Sequence, residues 1–236
     1  MFDFASLYAR ILMMPAEFKV AWGFMNDEEA VRVHLGKIRV EAAGVEGDGL
    51  VPEPDGEQER LKELFFSYSK GELNRAGIHY GNMMLVTAYT FLEDFVASFF
   101  YEAFLVKPKA MAEYMKNDAG GSNVPLNLIV DLDKEQLLKK LALENRSKAC
   151  NGSILKVCAR LTKISGALIS KELQDKLNGL QVARNKIVHE AVMLYVTPKE
   201  VTESCNAVEE LLIILAKAAQ TLGIHVADPT DLLEGL

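Results

Sequence analysis

The residues of this 236-residue chain best suited to chemistry lie in the segment GLQVARNKIVHEAVMLYV, positions 179–196. The segment is apolar enough for a buried helix, yet Arg184, Asn185 and His189 interrupt it. An imidazole titrates near neutrality and can take or give a proton, and a guanidinium fork matches the oxygens of a phosphate. Metal-free RNA cleavage needs both groups: one transfers a proton at the ribose 2′-hydroxyl or the leaving oxygen, and one stabilises charge on the phosphorus oxygens.

Helical periodicity predicts burial at positions that here are polar. Apolar residues recur at alternating steps of four and three, and the member of the series at position 184 is an arginine. The other members are Leu173, Leu177, Leu180, Ile187, Ala191 and Leu194. Buried arginine is rare unless it is paired, so one interpretation is a structural Arg184 and His189 held by hydrogen bonds inside a bundle.

The catalytic interpretation requires Arg184 and His189 to reach the same phosphate. Residues five positions apart on an ideal helix point about 140° away from each other. Convergence therefore needs the reach of the arginine side chain, a helix start between the two residues, or a second copy of the chain. The last possibility predicts a homodimer.

Charge is unevenly distributed along the chain. The net charge is −7, yet residues 145–189 hold nine Lys/Arg and two Asp/Glu, a local charge of +7. A basic segment in an acidic protein favours a polyanionic partner such as RNA, although its cations could equally pair with acids elsewhere in the fold. We predict phosphate contacts from one basic helix face and from the motif itself, namely Lys156, Arg160, Lys163 and Lys186.

Helical patterns cover nearly the whole sequence, so we predict an all-α bundle. DKEQ at Asp133 and TPKE at Thr197 have the form of capping boxes, Ser170 is a further N-cap, and Gly223 ends the last helix. The predicted helices span roughly 4–20, 27–43, 58–105 with a break near Gly77–Gly81, 133–144, 153–163, 170–196 and 197–222. These form three parts: an N-terminal extension with an acidic Gly/Pro loop (1–56), a helical domain (57–222) and a tail (223–236).

Several classes of protein are disfavoured by residue types. The three cysteines are far apart without a CxxC pair, which favours reduced thiols in the cytoplasm and excludes a zinc motif. His34 and His225 lack partners at ligand spacing and no Gly-rich phosphate loop is present, so neither a metal nor a cofactor is predicted. Acids interrupt the most apolar stretch, residues 83–104, so no membrane span is predicted.

The hexapeptide RNKIVH, Arg184 to His189, resembles the RNxxxH motif of the HEPN superfamily, in which arginine precedes histidine by a short spacer. AYTFLEDF, residues 88–95, is similar to an aromatic, acidic helix found upstream in several branches, and the resemblance covers roughly residues 57–222. One departure concerns Ala191, because branches paired with a nucleotidyltransferase antitoxin tend to have tyrosine two residues after the histidine.

The resemblance implies a HEPN-like helical bundle that acts as a metal-independent endoribonuclease. Such proteins attack through the 2′-hydroxyl in a cleft between two domains and serve as toxins or anti-phage effectors, with an antitoxin or defence-complex protein as a possible partner. By the same resemblance Arg184 binds or stabilises the phosphate and His189 transfers the proton. Asn185 positions the histidine or the RNA backbone, and the upstream acid is Glu93, preferred here over Asp94. Two alternatives stay open: a non-catalytic HEPN adaptor that binds a nucleotide or RNA in a larger complex, and a helical scaffold with a coincidental motif.

Overall fold

The computed structural model describes residues 4–36, 55–117, 124 and 126–226. Of these residues 86% are helical and none forms a strand, which confirms the all-α prediction. In chain order the helices are α1 (Phe4–Asn26), α2 (Glu28–Leu35), α3 (Asp55–Val106), α4 (Pro108–Asn117), α5 (Leu126–Asp131), α6 (Lys134–Cys150), α7 (Ile154–Ser165), α8 (Lys171–His189) and α9 (Pro198–Thr221).

The helix starts predicted from capping residues are confirmed. Asp133 and Gln136 form a capping box at α6, and Thr197 and Glu200 form one at α9, where Pro198 occupies the first turn. The Ser170 hydroxyl accepts a hydrogen bond from the backbone of Leu173 at 3.1 Å and so caps α8. These bonds satisfy backbone N–H groups that have no partner within the helix, which is why short polar residues mark the boundaries so clearly.

The long helix α3 is the centre of the bundle, with α1, α6, α8 and α9 packed around it. Its second half contributes Phe95, Phe99, Phe100 and Phe104, which together with Phe18 of α1 are the largest fully buried side chains of the described residues. Within the described part of the chain α3 is also the one helix long and apolar enough to cross a membrane, and half of its most apolar window is buried in the bundle. The buried half of this window packs in the core of the bundle.

Helix α1 belongs to the same core. Ile11, Met14 and Phe18 are buried against α3 and α9, and Trp22 packs on the cluster from its edge. Helix α1, which lies in the predicted N-terminal extension, thus packs into the bundle, whereas residues 37–54, which include the acidic Gly/Pro loop, lie outside the described part. The predicted helix over 27–43 corresponds to α2, which ends at Leu35 with Gly36 as its C-cap, and residues 37–43 lie outside the described part. The tail beyond residue 226 also lies outside it.

The predicted helix break near Gly77–Gly81 is wrong, because α3 runs without interruption from Asp55 to Val106. These glycines instead allow neighbouring elements to approach. A Cβ on Gly77 would contact the Trp22 ring at 3.5 Å, and a Cβ on Gly81 would lie 3.0 Å from Cβ of Val196. Glycine in a helix interior often serves such close packing, and the sequence alone does not distinguish this use from a break.

The predicted continuation of α8 to residue 196 is also wrong. The helix ends at His189, Glu190 caps it, and Ala191 adopts a left-handed backbone with φ of 52°. Residues 191–197 are not helical and lead to the N-cap of α9. Ala191 and Leu194, assigned by periodicity to the buried seam, thus lie beyond the helix, and Ala191 is exposed.

Candidate functional site

Arg184 and His189 are in direct contact at the C-terminal end of α8. Nη1 of Arg184 lies 2.8 Å from Nε2 of His189, and the same nitrogen donates to Oδ1 of Asn185 at 3.2 Å. Arg184 is half-buried and His189 is exposed to solvent. Within a single chain, the reach of the arginine side chain is thus enough to bring the two groups together. The position of His189 as the last residue of α8 helps.

The contact fixes the protonation pattern of the imidazole. A guanidinium can only donate hydrogen bonds, so Nε2 of His189 must be the acceptor and carries no proton in this arrangement. The neutral ring then has its proton on Nδ1. The lone pair that a general base needs is thus present on Nε2 and is covered by Arg184.

Asn185 is the second partner of Nη1, so one nitrogen of the guanidinium is held by two motif residues. Nη2 makes no hydrogen bond with any residue that the structure describes, and Nε is buried without a partner. Lys186 follows on the exposed side of α8. The motif therefore fixes one end of the guanidinium and leaves Nη2 available to an anion.

Tyr89 contacts the Arg184 guanidinium from the side of the core, and Gln181 holds Tyr89 in place. The carbon of the guanidinium lies 5.9 Å from the centre of the Tyr89 ring, within cation–π range. Gln181, one helical turn before Arg184, donates to the Tyr89 hydroxyl at 2.8 Å and accepts from the backbone of Ile154 at 2.9 Å. This contact joins α3, α7 and α8 beneath the motif. Neither residue was predicted to belong to the site, although Tyr89 lies in the AYTFLEDF element.

Glu93 lies one helical turn after Tyr89 on α3 and faces the same region. Burial raises the pKa of its carboxyl above the ordinary value, the charge of Arg184 opposes this rise, and the charge of Asp94 adds to it. The charge of Arg184 therefore acts on the pKa of Glu93, although the two side chains form no ion pair. A carboxyl with a raised pKa retains its proton closer to neutrality and is better suited to proton transfer.

The three cations predicted to form one basic face of α7, Lys156, Arg160 and Lys163, lie in different environments. Lys156 is exposed in the first turn, near the end of α7 that contacts Gln181. Arg160 donates from Nη1 to the backbone carbonyls of Ala149 at 2.9 Å and Asn151 at 2.6 Å, so it closes the C-terminal end of α6. Together with Lys163 it lines a crevice against α4. Of the three residues, only Lys156 lies at the end of α7 nearest the motif.

The segment after His189 is fixed to α3 by residues that sequence analysis did not single out. Nδ2 of Asn82 donates to the carbonyl of Leu194 at 2.7 Å, and its Oδ1 accepts from the Leu194 N–H at 3.1 Å. Gly81 gives Val196 room to pack beside it. The available signal was the pair Gly81–Asn82, an unusual sequence in the middle of an apolar helix.

The cysteines and other ligand types add no chemistry to this site. Burial raises the pKa of the thiols to about 11 at Cys150, about 11 at Cys158 and about 12 at Cys205, so none is a reactive thiolate near neutral pH. Within the described ranges no group of three or more His, Cys, Asp or Glu side chains is arranged to hold a metal ion.

Comparison with known proteins does not extend the assignment. No protein-family model matches the chain, and neither a curated protein nor a solved structure matches it. The resemblance of RNKIVH to the HEPN motif therefore stays a prediction, and it now has an observed geometry: an arginine and a histidine in contact at an exposed helix end.

Proposed function

We propose that this protein is a metal-independent endoribonuclease of the HEPN type. The observation that supports it most directly is the 2.8 Å contact between Arg184 and His189 at an exposed helix end. A coincidental motif in a helix has no reason to bring these groups together, since their positions on an ideal helix diverge. The surrounding segment, at +7, adds attraction for a polyanion.

The chemistry follows from the donors and acceptors of the site. A substrate phosphate competes for Arg184, and as the guanidinium turns toward the phosphate oxygens it uncovers Nε2 of His189. Nε2 takes the proton of the 2′-hydroxyl, the O2′–P bond forms, and the P–O5′ bond breaks. The leaving 5′-oxygen receives a proton from an acid, a role that suits Glu93 because of its raised pKa. The products are a 2′,3′-cyclic phosphate and a free 5′-hydroxyl.

A homodimer is part of this proposal. Val182, Val188, Val192 and Met193 surround the motif with large apolar side chains that are exposed in the single chain. Exposed apolar groups around a polar site are typical of an interaction surface. A twin subunit on this surface would enclose the Arg184–His189 pair and place two copies of it side by side. A role as toxin or defence effector, with RNA as substrate and an inhibitory protein partner, follows from the family resemblance.

The test is cleavage of single-stranded RNA in the presence of EDTA. We expect wild type to leave 2′,3′-cyclic phosphate ends. His189→Ala should lose about 10²- to 10⁴-fold in rate and Arg184→Ala about 10²- to 10³-fold, with helicity unchanged. A matched control comes from α3, where Arg75→Ala and His79→Ala remove an exposed arginine and histidine away from the motif and should cleave like wild type. Undiminished cleavage by both motif variants would refute the proposal.

The second candidate, a non-catalytic adaptor, is favoured by one observation. Nη1 of Arg184 already has two partners within the motif, Asn185 and His189, as a purely structural motif would. Purified protein that dimerises and leaves every RNA intact would support this function over the nuclease. In that case Arg184→Ala should weaken dimerisation or nucleotide binding, which sedimentation and calorimetry measure directly.

A further inference from the structure

Two polar side chains are buried in the part of the chain that the structure describes, and they differ in what they bind. Asn145 on α6 is 1% exposed and donates to the carbonyl of Leu141 within its own helix. Asn82 on α3 is 3% exposed and bonds to a segment 112 residues away. Burying an amide is costly unless it is hydrogen-bonded, so the long-range partner of Asn82 needs a reason.

The Asn82 side-chain amide hydrogen-bonds both backbone groups of Leu194, as a paired β-strand would. It donates to the Leu194 carbonyl at 2.7 Å and accepts from the Leu194 N–H at 3.1 Å, so both backbone groups of one extended residue are satisfied by one side chain. The remaining hydrogen of Nδ2 goes to the carbonyl of Ile78 at 2.6 Å, which orients the amide on α3. All of its donors and one acceptor lone pair are thus in use.

The turn between His189 and Leu194 needs such an anchor. Ala191 has a left-handed backbone with φ of 52°, which is strained for a residue with a Cβ. The Val192 N–H folds back to the carbonyl of Lys186 at 3.1 Å and closes the end of α8 over the motif. A strained backbone persists only where surrounding contacts determine it, and the contacts here are Asn82 with Leu194 and Gly81 with Val196.

We propose that Asn82 is a positioning residue for His189: by fixing Leu194 to α3 it holds the strained turn, and so keeps the imidazole against Arg184. The catalytic part of this inference rests on the proposed nuclease function, whereas the anchoring itself does not. Loss of the anchor would let the turn relax and the last residue of α8 unwind, while the RNA-binding cations on α7 and α8 stay in place.

The first test uses amide hydrogen exchange in the wild-type protein. The Leu194 N–H should exchange at least about 10-fold more slowly than that of Tyr195, whose N–H has no partner among the described residues. In Asn82→Ala this difference should disappear, whereas Asn145→Ala, which also removes a buried asparagine, should retain it. Equal exchange of Leu194 and Tyr195 in wild type would overturn the anchor without any variant.

The second test measures the ¹⁵N chemical shifts of the His189 ring and the rate of RNA cleavage. In wild type the ¹⁵N shifts of His189 should show the tautomer with its proton on Nδ1. Asn82→Ala should move these shifts and lower kcat by roughly 10- to 100-fold with little change in KM, because orientation rather than RNA binding is lost. Asn145→Ala should change neither. Unchanged ring shifts and kcat in folded Asn82→Ala would refute the positioning role.

The two proposals can fail separately. A wild-type protein that cleaves no RNA overturns the nuclease, while the exchange and ring-shift measurements still decide whether Asn82 positions His189. A wild-type protein that cleaves RNA while Asn82→Ala keeps full kcat and unchanged ring shifts overturns the positioning role alone.

Discussion

Replacing Gly81 with alanine tests the packing that carries the chain from the motif to α9. Gly81 and Gly71 lie in the same helix, α3, and differ in what a new Cβ would meet. At Gly71 nothing lies within 4 Å. At Gly81 the nearest atoms are Cβ of Val196 at 3.0 Å, Cζ of Phe18 at 3.2 Å and the carbonyl oxygen of Val196 at 3.3 Å.

The magnitude follows from two opposing effects. Alanine is favoured over glycine in a helix interior by about 1 kcal/mol, so Gly71→Ala should raise the free energy of unfolding by about that amount. Gly81→Ala has the same gain, but overpacking against a backbone oxygen and a β-branched side chain costs typically 1–3 kcal/mol. Gly81→Ala should therefore be neutral to about 2 kcal/mol destabilising. The difference between the two variants should be about 1–3 kcal/mol.

The assay is urea unfolding followed by circular dichroism, with both variants compared at equal m-values. Gly77→Ala adds an intermediate point, because its Cβ would make ordinary contact with Trp22 at 3.5 Å and should stabilise. Amide exchange of residues 192–196 should accelerate in Gly81→Ala alone. Equal stabilisation by Gly71→Ala and Gly81→Ala would show that Val196 does not pack on Gly81 and that α3 does not hold the segment after His189.

Two further predictions concern stability. Burial, and secondly the charge of Glu93, raises the pKa of Tyr89 to about 12. The folded state therefore keeps a proton that an ordinary tyrosine loses near pH 10. Because of this difference, the free energy of unfolding should fall as the pH rises from about 10 to about 12. Urea titrations across that pH range should show a shallower decline for Tyr89→Phe than for wild type. An identical dependence of stability on pH in the two proteins would contradict the raised pKa of Tyr89. The buried cysteines contribute equally to wild type and variant. Thr197→Ala removes the hydroxyl that accepts from the Glu200 N–H at 3.3 Å and donates to the Glu200 carboxylate at 2.8 Å. It should lower the unfolding free energy by about 1 kcal/mol, while Thr221→Ala at the other end of α9 should change it much less.

Local chemistry made much of the fold predictable. The starts of α6, α8 and α9 depend on a polar side chain bonding to a backbone N–H three residues later, so the sequence contains both partners. The end of α8 was not predictable in this way. Its apolar periodicity continues through Leu194, and no glycine or proline marks the stop at His189. Beyond the stop, the Val192 N–H bonds back to the Lys186 carbonyl, and Leu194 bonds to Asn82, which lies more than a hundred residues earlier in the chain.

The sequence by itself determined the helical class, most helix starts, and the presence of an arginine and a histidine five residues apart in a basic segment. Only the tertiary structure decided that these two side chains touch, that Tyr89 and Gln181 lie beneath the guanidinium, and that Arg160 closes α6. The physical reason is range. Capping and helical periodicity act within a few residues, whereas the bonds from Asn82 to Leu194 and from Gln181 to Tyr89 join segments that only folding brings together.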